Sequence, residues 1–200
     1  MITRQLFYIS ILSILISASI GAESKIAVEK CPISDGFDFP VGKPNAKKYY
    51  NAQKFGKNYH LGDDWNGVGG GNTDYGDPVY SISNGIVAYA GNLKGGWGNV
   101  VRVYHNYGSK LEPLYVESIY AHLEKILVTS GSIVKKGEKI GTIGNADGKY
   151  LAHLHLELRD KINMEIGQGY SQNTTGYLDP TIFIKNHRII GILHSPVNTL

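Results

Sequence analysis

Two histidines, His153 and His155, sit in the run Leu151-Ala152-His153-Leu154-His155-Leu156-Glu157-Leu158, where apolar and polar residues alternate. In an extended strand alternate side chains share a face, so both imidazoles and the Glu157 carboxylate project together, with the two histidine Cα atoms about 6.6 Å apart. Ala152, Leu154, Leu156 and Leu158 face the other way and can be buried. Taken alone, this strand fits a polar pocket floor and a solvent-facing stripe equally well. A second grouping, His60-Leu61-Gly62-Asp63-Asp64, offers an imidazole and a carboxylate four positions apart. Both are good zinc ligands, but about 13 Å would separate their Cα atoms in a straight strand, so sharing a metal demands a bend, which Gly62 can supply. Asp63 points to the opposite face if the backbone stays extended.

His60, Asp64 and one member of the 153/155 pair make a set of two imidazoles and one carboxylate with a fourth position left for water. A structural zinc normally fills all four positions with protein atoms, so this set points to a catalytic zinc. Such an ion lowers the pKa of bound water to about 7 and polarises a carbonyl, as amide hydrolysis requires. Residue chemistry does not choose between His153 and His155. His122 and the remaining member of the pair could move protons or stabilise an oxyanion. The run Gly67-Val68-Gly69-Gly70-Gly71 reads as a mobile loop; without a following Gly-Lys-Ser/Thr and helix it does not read as a phosphate cradle.

The elements that must position these residues read as strands. Fourteen tyrosines and 25 glycines in 200 residues favour short strands and many turns, hence a mostly-β single domain. Strand-like runs cover Val79 to Ser83, Gly85 to Ala90, Val100 to Tyr104, Ile133-Val134, Lys139 to Ile143 and Leu151 to Leu158. Ser83-Asn84-Gly85 predicts a hairpin turn, and the one plausible helix start lies at Tyr115 to Leu123. A net charge of +3 is too mild to indicate nucleic acid. Residues 1–22, with Arg4, the apolar run from Leu6 to Ile20 and then Gly21-Ala22, read as a signal peptide; the apolar run is shorter than the ~20 residues of a membrane span. No stable membrane insertion is expected after its removal, and the expected compartment is the periplasm, with secretion to the medium as the alternative. A single cysteine, Cys31, precludes an internal disulfide and reads as a bystander.

With these residues in view, the chain resembles the lysostaphin/LytM-like zinc peptidoglycan endopeptidases, whose pattern is His-x-x-x-Asp, an Ala-His-Leu segment, then His-x-His. Here these are His60 with Asp64, Tyr120-Ala121-His122-Leu123, and His153-Leu154-His155. The flanks Gly76-Asp77-Pro78-Val79-Tyr80, Asn84-Gly85-Ile86-Val87, Gly96-Trp97-Gly98-Asn99, Lys136-Gly137-Glu138-Lys139 and Ile143-Gly144-Asn145 match too. The resemblance implies a compact antiparallel β domain of the duplicated-hybrid-motif type, with one Zn²⁺ held by His60, Asp64 and His155. It implies that His153 acts as general base and His122 stabilises the oxyanion, roles that could be exchanged, and that the substrate is peptidoglycan. Expected boundaries are a signal peptide at 1–22, a linker at 23–34, the zinc peptidase domain at 35–187 and a tail at 188–200. Glu157, Asp63 and Cys31 receive no catalytic role, His105 reads as structural, and His187 and His194 read as surface residues. Keeping all five polar positions sets the chain apart from relatives that lost zinc and activate other wall enzymes. The alternative is a non-catalytic wall-binding or regulatory module on the same fold.

Overall fold

A computed structural model describes residues 28–189, so the signal-like segment at 1–22 and His194 lie outside the described residues. Runs of β-branched and aromatic residues form ten strands: β1 (Tyr49–Gln53), β2 (Gly62–Gly67), β3 (Pro78–Tyr80), β4 (Gly85–Asn92), β5 (Asn99–Asn106), β6 (Tyr115–Ile126), β7 (Ile133–Val134), β8 (Lys139–Ile143), β9 (Leu154–Arg159) and β10 (Tyr177–Leu178). All pair antiparallel in the order β1-β2-β9-β6-β5-β4-β7, with β10 against β9 and β8 joining β3 to β6. The mostly-β class expected from the composition is observed, and so is the antiparallel pairing that the resemblance implies. A helix at Pro180–Asn186 follows, its start set by Pro180 and by the Asp179 carboxylate accepting the Ile182 N–H. Among the described residues no helix is long and apolar enough to cross a membrane.

The apolar face of β9 builds the core. Ala152, Leu154, Leu156 and Leu158 are fully buried with Val101, Val103, Tyr120, Ile140, Ile143 and Ile184, and each large aliphatic chain so buried stabilises by about 1.5–3 kcal/mol. The polar face of β9 is buried as well: His155 is 4% exposed and Glu157 and Arg159 are 0%. That burial excludes a solvent-facing stripe.

Four expectations are corrected. Tyr115 to Leu123 is not helical but part of the twelve-residue strand β6, because β5, β9 and β8 all hydrogen-bond to it and tertiary pairing overrides its weak helical pattern. Asn84-Gly85 is not a hairpin turn: β3 pairs with β8 and β4 with β5 and β7. Asn84 instead ties three segments together, accepting the Lys136 N–H, donating to Ile33 O and lending its carbonyl to His105. Gly85 is needed because a Cβ there would lie 2.4 Å from Tyr104 O. The glycine-rich run is a folded turn, held by buried Asp74, which accepts the Gly67 N–H, and by Asn72, which accepts the Ala152 N–H. Finally, His187 is half-buried and stacks on Phe183 at 4.0 Å.

Candidate metal centre and groove

The register of β9 with its neighbours places the site. Asp64 on β2 lies directly opposite His155, and Ala121 on β6 lies opposite it on the other side. His60 precedes β2, leaving the turn Lys57–Tyr59 in extended conformation (φ −64°, ψ 133°), and bridges Tyr170 through its backbone. Gly62 serves as a clearance: its φ is not in the left-handed region, but a Cβ there would meet Leu156 O at 2.5 Å and His155 Cε1 at 2.9 Å. Without a side chain at 62, the His155 ring swings over β2 toward Asp64 and His60.

The donor atoms of His60, Asp64 and His155 converge. His155 Nδ1 is 2.9 Å from Asp64 Oδ1, His60 Nε2 is 3.3 Å from the same oxygen, and the two ring nitrogens are 3.0 Å apart. A tetrahedral zinc with legs of about 2.0–2.1 Å would space its donors by about 3.3 Å. A proton on one edge of this triangle satisfies one pair only, whereas a cation at its centre serves all three atoms. Buried His60 Nδ1 has no hydrogen-bond partner. The donor set fits a divalent zinc-like ion.

Electrostatics agree. Burial alone would raise Asp64, yet hydrogen bonds from His155 and His60 hold it well below the usual carboxylate range. Burial alone would lower His155, yet the carboxylates of Asp64 and Glu157 lift it to about 9. The same carboxylates that favour a proton on His155 would favour a cation at that place.

Two further imidazoles border the cluster. β6 changes partner at His122: Ala121 faces His155 on β9, whereas Leu123 faces Ile143 on β8. His122 sits at that fork with φ 62°, and its N–H bonds Trp97 O. The interruption turns its ring to within 4.7 Å of His153 and 5.5 Å of His155. Burial, then the nearby His155 and His153, lower its pKa to about 3, so the ring is neutral at ordinary pH. His153 donates its Nδ1–H to Leu151 O at 2.8 Å and turns Nε2 toward Asp64, 3.8 Å away.

Around these residues lies a groove of about 550 Å³ walled by Gln53, Trp97, Tyr150 and the segment Gly167–Tyr170. Trp97 packs edge-on against His155 at 5.5 Å and donates to Gly167 O. Tyr170 packs on His60 at 5.1 Å. Sequence reasoning missed these walls; a tryptophan between Gly96 and Gly98 was the available signal. It also passed over Glu157, whose Oε1 lies 3.4 Å from His155 Nε2. The residues left without a catalytic role elsewhere are tied to the scaffold. Asp63 turns away and accepts from Phe55 N–H and Thr181, His105 bridges Asn84 O and Ser118, and Cys31 donates to Tyr104 O.

Residues 64–178, more than half of the chain, match the sequence signature of peptidase family M23. The chain belongs to that family. Lipoprotein NlpD of Yersinia enterocolitica is 38% identical over 103 residues, 52% of this chain and 91% of that protein. The murein hydrolase activator NlpD of Escherichia coli strain K12 is 36% identical over 103 residues, 52% of this chain but 23% of that protein. The chain thus spans nearly all of one relative and less than a third of others. Among solved structures, the solution structure of lysostaphin matches with a TM-score of 0.50 at 27% identity over 69% of this chain and 51% of that one. A second structure of the antimicrobial peptidase lysostaphin, from Staphylococcus simulans, shares the fold with a TM-score of 0.51 at 24% identity, covering 76% of this chain and 55% of that one.

Proposed function

We propose that this M23 chain is an exported endopeptidase that uses one zinc ion to hydrolyse amide bonds in the peptide stems or cross-links of bacterial peptidoglycan. What carries the reading is the convergence of the His60, Asp64 and His155 donors in a groove that also presents His122 and His153. In this reading residues 1–22 direct export, 23–34 link, 35–187 form the peptidase domain and 188–200 trail it.

His60, Asp64 and His155 would hold the ion, which supplies Lewis-acid polarisation of a carbonyl and a lowered water pKa. The remaining work falls to the chain's own groups. With its proton fixed on Nδ1 by Leu151 O, His153 offers the Nε2 lone pair to the groove and is the general base for the attacking water; it returns that proton to the leaving amine. Neutral His122 donates a hydrogen bond to the oxygen on which negative charge develops. Trp97, Tyr150 and Tyr170 give an extended peptide apolar walls and exclude bulk water. The bond from His153 Nδ1–H to Leu151 O is what favours His153 as the base and His122 as the oxyanion donor in this reading.

The test is metal analysis of the mature protein with mass spectrometry of a muropeptide digest. His155→Ala and Asp64→Ala should lose zinc and turnover together, whereas His153→Ala should keep zinc and lose turnover. Continued cleavage by His155→Ala protein would make the ligand assignment wrong.

Relatives named murein hydrolase activator favour a second reading, in which the same fold stimulates a separate wall hydrolase. It expects no peptide release from purified sacculi with or without chelator, and faster release when such a hydrolase is added.

A further inference from the structure

Beneath the groove, four charged side chains form two ion pairs. Glu157 and Arg159 are both completely buried and joined by Arg159 Nη2 to Glu157 Oε2 at 2.6 Å. Glu117 is also completely buried and receives Arg102 Nε at 2.6 Å. Burying such charges is costly unless every donor and lone pair is used, and here they are used in one direction. The other Glu157 oxygen faces His155 Nε2 at 3.4 Å. The remaining Arg159 donors reach the carbonyls of Glu165 and Ile166 at 2.9 and 2.8 Å, and Arg102 reaches that of Met164 at 2.8 Å. The backbone so gripped runs straight into Gly167–Tyr170, the wall of the groove, whose far side is pinned by Trp97 and by the Leu61 N–H donating to Gly169 O.

We propose that Glu157 and Arg159 are positioning residues: Glu157 orients His155 so that Nδ1 faces His60 and Asp64, and Arg159 ties Glu157 to the loop that forms the substrate wall. The inference rests on the zinc peptidase reading. Metal affinity and substrate affinity then share one buried pair yet separate by residue. A carboxylate accepting from the far nitrogen of a ligating histidine fixes which nitrogen is free for the metal, and loss of such a partner typically costs about 10–100-fold in metal affinity. Lysine at 159 keeps the charge beside Glu157 but gives up the fork that spans two loop carbonyls.

The experiment measures zinc affinity of the full mature protein by chelator competition, with kcat and KM on a muropeptide. Glu157→Gln should weaken zinc binding about 10–100-fold, and Arg159→Lys should raise KM while zinc affinity stays within about threefold of wild type. Nitrogen-15 shifts of the histidine rings in unmutated, zinc-loaded protein supply an arm that needs no variant: His155 should carry its proton on Nε2. A folded Glu157→Gln protein with wild-type zinc affinity, or His155 protonated on Nδ1 in the loaded protein, would overturn the proposal. If Glu157→Gln does not fold, the ring shifts decide. Wild-type protein that binds no zinc sinks the enzyme reading with it; wild-type protein that binds zinc but releases no peptide sinks the enzyme reading alone, because the affinity arm still reports.

Discussion

His122 holds a backbone conformation that costs an L-residue roughly 1–2 kcal/mol, and the strain is offset by its surroundings. Asparagine tolerates this region better than most residues, so His122→Asn should stay within about 1 kcal/mol of wild-type stability. His122→Ala, which removes the donor altogether, should keep zinc and lose about 10²–10³ in kcat, the usual consequence of deleting an oxyanion donor. Chemical denaturation and steady-state kinetics check both halves; unchanged kcat would remove His122 from the reaction. Gly62→Ala is the complementary case. Its methyl group would sit 2.9 Å from His155 Cε1 and 2.5 Å from Leu156 O, so it should destabilise by about 1–3 kcal/mol and weaken zinc binding. Calorimetric titration with zinc reads that loss. At this scale the sequence displayed the shared face of His153, His155 and Glu157, because period-two alternation needs no partner to be visible. It could not display the aim of His122, which depends on β6 changing partner beside it, nor the reach of Glu157 to His155 Nε2. Gly62 was noticed as a source of bend, and its actual service, making room for a ring from another strand, is invisible until that strand is placed.

Among the elements, β6 and β9 carry both the core and the site. Their strand character was legible for β9, where apolar residues alternate strictly, and not for β6, where Val116, Ile119, Tyr120 and Ala121 are buried against three different neighbours. The Asn84-Gly85 signal was read by its local turn chemistry, whereas the packing of Gly85 against β5 decided its conformation. β5 and β6 are further locked by a buried relay: His105 bonds Ser118, Ser118 bonds Tyr120, and the Tyr120 hydroxyl accepts the Ile82 N–H. Burial depresses His105 to about 4 from its ordinary 6.5. Above pH 6.5 neither folded nor unfolded chain protonates this ring. As pH falls from 6.5 to 4 the unfolded chain takes up a proton that the folded one refuses, so this group should remove roughly 3 kcal/mol of stability across that window. Urea midpoints at pH 7 and pH 4.5 should therefore converge in His105→Gln relative to wild type. Equal pH slopes in the two proteins would assign the acid loss to other groups.

For the molecule as a whole, a metal bound only by the folded state adds stability by mass action. Zinc at a hundredfold excess over its Kd should contribute about 2.7 kcal/mol, which for a domain of this size raises Tm by roughly 5–10 °C. Asp64→Ala protein should show no such rise, and a rise of equal size there would place the ion elsewhere. The fold class was readable from composition and turn residues because those set the element type throughout the chain. The groove was not, since its walls come from Gln53, Trp97, Tyr150 and Tyr170, which approach only after β1, the β4–β5 connection and the segment before β10 are assembled.

The pairing of β2 with β9 joins Asp64 to a histidine 91 positions later. His60 and Asp64 are neighbours in sequence, whereas His155 must be brought in across that long loop, and closing so long a loop is slow compared with local folding. Until β9 inserts between β2 and β6, the polypeptide carries two-thirds of a metal site and no groove. In the zinc peptidase reading, chemistry therefore waits on one strand pairing, the seating of β9 between β2 and β6.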